Sequence, residues 1–195
     1  KYIYLTHFHA DFVSGHLDLE NKTGATIVFG PTAVTKFKSY VSKDEELISL
    51  GKIKIKTLHT PGHTLESSCF VLIADEKPFC VFTGDTLFLG DVGRPDLAVC
   101  SDYKETDLAG MLFNSISTKI KTLSDDVWVY PAHGAGSACG KNIGTGLKCK
   151  IGTQKSNNYA LLIENKDEFI AKVTLNLPLP PQYFFHDATV NREGY

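Results

Sequence analysis

Four strand-like segments of this chain are each followed, within a few residues, by a histidine or an aspartate. The segments end near positions 5, 58, 82 and 130, and the residues that follow are His7, His63, Asp85 and His133. In layered α/β folds, the ends of neighbouring strands are where loops converge into a cleft. Histidine and aspartate are ligand types that Zn(II) and Fe(II) accept. The pattern therefore predicts an α/β fold with a metal site at the ends of its strands.

The first of these turns carries the densest group of candidate ligands. The run from Thr6 to Phe12 places His7, His9 and Asp11 at i, i+2 and i+4. In a loop, that spacing lets several side chains reach one point. Taken alone, the run also fits a solvated turn after a strand, and it is the three further ligand-bearing turns that favour a metal site.

In chain order, the four turns resemble the motifs of the metallo-β-lactamase fold superfamily. They read Thr-His-Phe-His-Ala-Asp, Thr-Pro-Gly-His-Thr, Thr-Gly-Asp-Thr-Leu and Pro-Ala-His-Gly, and the resemblance covers residues 6 to about 140. Within the superfamily, the stretches 6–16, 90–97 and 132–137 are similar to the persulfide dioxygenases, in the branch often fused to rhodanese domains. Glyoxalase II-like hydrolases are the nearest competing relatives. The resemblance implies an αββα sandwich of two mixed sheets with outer helices, lacking its N-terminal strands.

The resemblance also implies roles for the candidate ligands. His7, His63 and Asp85 would hold one Fe(II), and two imidazoles with one carboxylate leave adjacent positions open for a substrate and O₂. His9 is either a further ligand, as in hydrolases of the superfamily, or stands just outside the metal's ligands, as expected here. Asp11 and His133 are the candidate catalytic residues, which hydrogen-bond metal-bound water or orient substrate. The alternative is that they only brace the loops.

Phe12 is the clearest departure from the hydrolase pattern. Dinuclear hydrolases of the superfamily read His-x-His-x-Asp-His, and the last histidine helps to hold a second metal. Phenylalanine has no lone pair to donate, so one metal is expected rather than two, which weakens the case for hydrolysis by a bridging hydroxide. His16 lies further along a predicted helix and is expected to be a surface or packing residue.

The reaction implied is oxidation of a low-molecular-weight thiol persulfide, such as glutathione persulfide, by O₂ and water to sulfite and thiol. The alternatives are a Zn(II)-dependent glyoxalase II-like thioester hydrolase and a metal site without catalysis. Arg94 either pairs with Asp96 or binds a substrate carboxylate. Cys139 either faces the metal cleft, in contact with substrate, or is an inert thiol in a tight loop.

Composition sets further bounds. The 195 residues, 43% of them hydrophobic, predict a single domain over 1–195 with a sizeable core. A net charge of −2, with no basic block, argues against nucleic acid or an anionic membrane surface as partner. The five cysteines form no Cys-x-x-Cys pair and fit a reducing compartment, so a cytoplasmic location is expected. The oligomeric state stays open, with a homo-oligomer among the possibilities.

The two ends of the chain favour a piece of a longer protein. Residue 1 is lysine rather than methionine, and members of the superfamily have strands before the first motif. The stretch from Asn176 onward resembles the point at which such proteins lead into a rhodanese domain. A rhodanese domain is therefore a predicted neighbour in the full protein.

Local patterns predict the elements between the motifs. Helices are expected over 11–22, 33–40 and 106–123, a strand over 25–29 and a hairpin-like stretch over 50–58. In the third helix, one largely apolar face is expected to carry Leu108, Met111, Leu112, Ser115, Ile116 and Ile120.

Overall fold

The protein forms two β-sheets with helices packed around them. The computed structural model describes residues 1–98 and 102–195. The smaller sheet has three parallel strands, in the order β1 (Tyr2–Tyr4), β2 (Thr26–Phe29) and β3 (Tyr40–Val41). Helix α1 (His16–Thr23) makes the crossover between β1 and β2.

The larger sheet has six strands that are neighbours in sequence order. They are β4 (Leu47–Leu50), β5 (Ile53–His59), β6 (Ser68–Ala74), β7 (Lys77–Gly84), β8 (Trp128–Pro131) and β9 (Cys149–Lys150). Neighbouring strands are antiparallel except for β7 and β8, which pair parallel, so this sheet is mixed. The parallel pair places the ends of β7 and β8 at the same edge, which positions the residues after them side by side.

The remaining helices follow β7 and β9. They are α2 (Glu105–Ser115), which continues as a π-helical turn (Ile116–Ile120), α3 (Ile151–Asn157), α4 (Tyr159–Leu162), α5 (Lys166–Thr174) and α6 (Phe184–Glu193). Among the described residues, no helix is long and apolar enough to cross a membrane.

The main core lies between one face of the six-stranded sheet and the helices. Val71, Val81 and Val129 are adjacent in register across β6, β7 and β8, and all are buried. They belong to one apolar cluster with Leu112 of α2 and Phe169 of α5. Because side chains alternate along a strand, the valines share one face, and the two helices cover it.

The opposite face of the six-stranded sheet looks toward β1. Phe70, Phe82 and Tyr130 are adjacent in register on this face, and the ring of Tyr4 packs edge-on against Phe70 with centroids 4.9 Å apart. These aromatic side chains line a cavity of about 490 Å³ between the two sheets. Its lining also includes His9, so one end of the space adjoins the loop that carries the first candidate ligands.

The predicted α/β arrangement, with helices outside the sheets, is confirmed. So is the hairpin, which is β4 paired with β5. The third predicted helix is present as α2 and its π-helical turn, and its predicted face is buried except for the partly exposed Met111.

One predicted helix begins later than expected, and another does not form. The helix expected over 11–22 begins only at His16, because the Phe12 carbonyl and the Ser14 N–H bond to the side chain of Asn191 instead of to helical partners. No helix forms over 33–40. There the hydroxyl of Thr35 donates to the Phe37 carbonyl, a local bond that competes with helical pairing.

The cysteines in the described part of the chain are free thiols. Cys69, Cys80 and Cys139 are buried and Cys149 is partly exposed. Cys100 lies outside the described residues.

Candidate metal centre

The turns predicted to carry ligands meet where the ends of β1, β5, β7 and β8 come together. Gly84 ends β7 with φ of +52°, and a Cβ on it would lie 2.6 Å from Oγ1 of Thr6. Only glycine accepts both this left-handed backbone and so close an approach. The contact brings Asp85, from the larger sheet, beside His7, from the smaller one.

His7, His63 and Asp85 form the buried centre of the site. Each is about 1% exposed. Nε2 of His63 lies 3.3 Å from Oδ2 of Asp85, and Nε2 of His7 lies 3.8 Å from the same oxygen. The three side chains therefore converge on one point through one atom each, as a mononuclear metal site requires.

Hydrogen bonds to the outer ring nitrogens fix both imidazoles. Nδ1 of His63 donates to the backbone carbonyl of Arg94 at 2.9 Å, and Nδ1 of His7 lies 2.9 Å from Oγ1 of Thr6. Because a carbonyl can only accept, Nδ1 of His63 carries a proton, and in the neutral form of the ring the Nε2 lone pair then faces Asp85. Partners of this kind orient metal-bound histidines in proteins.

The donor set fits a metal cation. Oδ2 of Asp85 is buried and has no hydrogen-bond partner, although the Nε2 lone pair of His63 faces it at 3.3 Å. Two lone pairs in a dry site repel each other unless a cation lies between them. A divalent ion bound by His7, His63 and Asp85 would satisfy all three groups.

The protonation states match that interpretation. Burial, together with the neighbouring His9, holds the pKa of His7 well below its usual range, so its ring is neutral. Burial opposes ionisation of Asp85, but the imidazoles of His7, His63 and His133 outweigh it and hold its pKa below the usual range. A neutral imidazole and an ionised carboxylate are the metal-binding forms.

A second cluster of His9, Asp11 and His133 adjoins the first. One ligand atom from each lies within 4.8 Å of the others. His133 bridges two carboxylates, with Nε2 2.7 Å from Oδ2 of Asp11 and Nδ1 2.8 Å from Oδ1 of Asp85. Burial lowers the pKa of His133, but these hydrogen bonds overcome it and raise the pKa to about 10. His133 is thus a protonated link between the two clusters.

His9 groups with Asp11 and His133 rather than with the three buried ligands. Its ring stacks on Phe12 with centroids 4.4 Å apart and planes 29° from parallel, while Nδ1 is buried without a partner. Phe12 thus covers one face of the imidazole with a hydrocarbon ring. That His9 stands just outside the metal's ligands stays a prediction.

His16 is packed away from the metal groups. It is 1% exposed, its ring lies against Phe37 with centroids 4.9 Å apart, and Nδ1 lies 2.9 Å from the hydroxyl of Ser14. This is the packing role expected from the sequence.

Arg94 has its donors occupied within the protein. Nε and Nη2 donate to the two carboxylate oxygens of Asp96, both at 2.7 Å, and Nη1 donates to the carbonyl of Ala138 at 3.2 Å. Of the two alternatives, the structure contains the pairing with Asp96. Since the Arg94 carbonyl also accepts from His63, the residue braces the metal centre through its backbone.

Cys139 is buried beside the two clusters. Its sulfur lies within 4.8 Å of a carboxylate oxygen of Asp85 and a ring nitrogen of His133. Burial raises the pKa of the Cys139 thiol well above its usual range, so it is protonated at neutral pH. The residue therefore faces the metal cleft, and a role in substrate binding stays a prediction.

Two buried carboxylates that hold the ligand loops were missed from the sequence. Oε1 of Glu66 accepts the N–H of Phe8, between His7 and His9. Asp91 accepts the N–H groups of Val92 and Lys141 and the hydroxyl of Tyr159. Asp91 lies within a stretch noted for its resemblance, but nothing in the spacing shows which distant N–H groups a carboxylate will meet.

Comparison with known proteins agrees with this geometry. The sequence model of the metallo-beta-lactamase superfamily matches residues 1–133, so the chain belongs to that superfamily. The match contains all the ligand candidates of both clusters, from His7 to His133.

Individual relatives extend the likeness. A probable hydroxyacylglutathione hydrolase, glo2, of Schizosaccharomyces pombe is 33% identical over 68% of this chain, which spans 48% of that protein. Among solved structures, a metallo-beta-lactamase from Staphylococcus aureus is similar with a TM-score of 0.91 at 35% identity, over 100% of this chain and 58% of the other. ETHE1 from Myxococcus xanthus has a TM-score of 0.78 at 27% identity, over 98% and 76%. The chain thus spans about half of the hydrolase relative.

A substitution at Gly93 tests how tightly the backbone packs behind the centre. A Cβ there would lie 2.0 Å from the backbone oxygen of Asp85 and 2.9 Å from Nδ1 of His63. We expect Gly93→Ala to displace both ligands and to weaken Zn(II) binding about tenfold or more, measured by chelator competition. The matched control is Gly134→Ala, whose Cβ meets nothing within 4 Å and which should stay within about twofold of wild type. Equal affinities for the two variants would contradict the assignment.

The bridging histidine predicts a pH dependence of the metal-free protein. Because the pKa of His133 is raised from 6.5 to about 10, its contribution to stability is complete below pH 6.5 and is lost as the pH rises toward 10. The free energy of unfolding from urea titrations should therefore fall between pH 7 and pH 9. In His133→Gln this part of the slope should vanish, and parallel profiles for the two proteins would refute the bridge.

Proposed function

We propose that the protein is a mononuclear non-haem Fe(II) dioxygenase that oxidises a low-molecular-weight thiol persulfide. The observation that carries the proposal is Phe12, which covers His9 where the dinuclear hydrolases of the superfamily have a histidine ligand. With this position filled by a hydrocarbon ring, the donor set that is buried at all three members, among the residues that the structure describes, is His7, His63 and Asp85. The sequence resemblance to persulfide dioxygenases supports the same function.

The proposed reaction converts a persulfide, O₂ and water into a thiol, sulfite and two protons. The S–S bond is cleaved, the outer sulfur is oxidised to sulfite and O₂ is reduced. Iron held by His7, His63 and Asp85 would supply the place where the outer sulfur and O₂ meet. Two imidazoles and one carboxylate leave positions open for both.

The remaining polar residues handle protons and orientation. Oδ1 of Asp11 is buried without a partner, so it is the acceptor proposed for a proton or hydrogen bond from substrate or water. His133 holds a proton between Asp11 and Asp85 and so keeps both carboxylates in place. The apolar contacts of Phe12 and Phe88 with the His9 and His133 rings limit access of water to this side.

A zinc-dependent thioester hydrolase is the second candidate. It is favoured by the similarity to the probable hydroxyacylglutathione hydrolase and by the second cluster, whose ligand atoms also lie within 4.8 Å of one another. In that function, His9, Asp11 and His133 would hold a second ion despite Phe12.

The direct test is oxygen uptake by the Fe(II)-loaded protein on addition of glutathione persulfide, with sulfite measured in the same vessel. We expect one sulfite for each O₂ consumed. Asp85→Asn removes the shared carboxylate ligand and should lower both bound iron and turnover by at least about a hundredfold. The control is Asp167→Asn, an exposed position of α5 that should behave as wild type.

The outcomes separate the two candidates. No oxygen uptake by protein with iron shown to be bound would contradict the dioxygenase with this substrate. Thioester hydrolysis by protein carrying stoichiometric zinc would favour the hydrolase.

Phe12→His tests the proposed reason for a single metal. The substitution returns a lone pair to the position beside His9 and Asp11. We expect metal content, measured by elemental analysis after loading with Zn(II), to rise from one toward two ions per chain. Phe12→Leu, which removes the ring without adding a ligand, should keep one. Two ions in wild type, or no gain in Phe12→His, would show that Phe12 does not set the metal count.

A further inference from the structure

Asn191 of α6 is bound to the loop that carries His9, Asp11 and Phe12. It is completely buried. Its Nδ2 donates to the carbonyl oxygens of His9 at 2.8 Å and Phe12 at 2.7 Å. Its Oδ1 accepts the backbone N–H of Ser14 at 2.8 Å and the hydroxyl of Ser14 at 3.0 Å.

These contacts use the full hydrogen-bonding capacity of the side chain. An asparagine amide has two N–H donors and two acceptor lone pairs, and all four are directed at residues 9–14. The loop itself belongs to neither a strand nor a helix, since β1 ends at Tyr4 and α1 begins at His16. One side chain from a distant helix therefore supplies hydrogen bonds that the loop does not make for itself.

Helix α6 is itself anchored on both sides of this loop. Near its start, Phe184 is buried in a cluster with Ala10, Phe88 and Cys139. Near its end, the Arg192 carbonyl accepts the N–H of Lys36. The helix thus holds Asn191 against the loop at a fixed position.

The same C-terminal part of the chain contacts the other side of the metal centre. The carbonyl of Pro178 accepts from Nη2 of Arg94, whose own carbonyl fixes the ring of His63. Residues 178–193 thus brace loops on two sides of the centre, although the superfamily match ends at 133.

We propose that Asn191 is a positioning residue of the metal centre. Its hydrogen bonds go to the backbone of the loop and to the Ser14 hydroxyl rather than to a donor atom of a candidate ligand, and it acts by setting where His9 and Asp11 lie relative to His7, His63 and Asp85. The inference concerns the metal centre itself and holds for either reaction considered above.

Two substitutions separate the hydrogen bonds from the space they fill. Asn191→Leu keeps the branching and the number of non-hydrogen atoms of the side chain, removes all four bonds and leaves buried carbonyl and N–H groups of the loop unpaired. Asn191→Asp keeps the acceptor for Ser14 but replaces the donor with an oxygen that faces the His9 and Phe12 carbonyls. Both should move the loop, and the first should move it more.

The readout is Co(II) binding by the otherwise intact chain, followed by its visible ligand-field bands and by chelator competition. We expect Asn191→Leu to bind Co(II) about tenfold more weakly and with shifted bands, as for other residues that orient metal ligands. The matched control is Phe169→Leu in α5, a buried residue that packs on Phe113. It should lower the melting temperature while leaving the bands and the affinity unchanged.

Ser14→Ala provides a milder variant if the Asn191 variants do not fold. It removes one of the four bonds, to the Ser14 hydroxyl, together with the contact of that hydroxyl with Nδ1 of His16, and should shift the bands in the same direction with an affinity loss of about twofold. Bands and affinity equal to those of wild type in folded Asn191 variants would overturn the proposal. If the Asn191 variants do not fold, bands and affinity of Ser14→Ala equal to those of wild type would overturn it. Because Co(II) binding is read without persulfide or O₂, failure of the proposed reaction would leave this test unaffected.

Discussion

The ionised carboxylate of Asp85, buried where the two sheets meet, is the group around which the site is arranged. One oxygen bonds His133, and the other faces His7 and His63 without a hydrogen bond. Taking a charge out of water is costly unless it is compensated, so the fold must surround this group with imidazoles and a cation. Positions 84 and 93 beside this group are glycines. A side chain at position 84 would collide with Thr6, and one at position 93 would collide with Asp85 itself. The loops and strand ends around the centre are thus placed so that their side chains compensate the buried charge of Asp85.

Much of this arrangement could be predicted from the sequence. The ligand types stand directly after β-strands, and strand ends leave little freedom in where the next few side chains go, so the convergence of His7, His63, Asp85 and His133 was predictable. Alternation of apolar and polar residues likewise identified the β4–β5 hairpin, and helical spacing of apolar residues identified the buried face of α2. The helix over 33–40 was wrong because propensity ignores the Thr35 hydroxyl, which bonds backbone locally.

What could not be predicted depends on contacts between residues far apart in the chain. The helix start at His16 rather than Asp11 is set by Asn191, and the loop positions around Cys139 by Asp91. Neither residue has a spacing or a motif that names its partner. The pairing of Arg94 with Asp96 was one of two alternatives that the sequence left open, and only the burial of the guanidinium among carbonyl groups distinguishes them. In this protein each candidate ligand can be recognised from the residues next to it in the sequence, whereas the residues that support the ligands cannot.

The bond between Asn191 and His9 joins residues 182 positions apart. During synthesis at about 5–20 residues per second, the ligand loop leaves the ribosome roughly 10–40 s before its partner exists. Until then none of the four hydrogen bonds from Asn191 to residues 9–14 can form. The loop that carries His9 and Asp11 therefore reaches its final conformation only after α6 has been made and has docked.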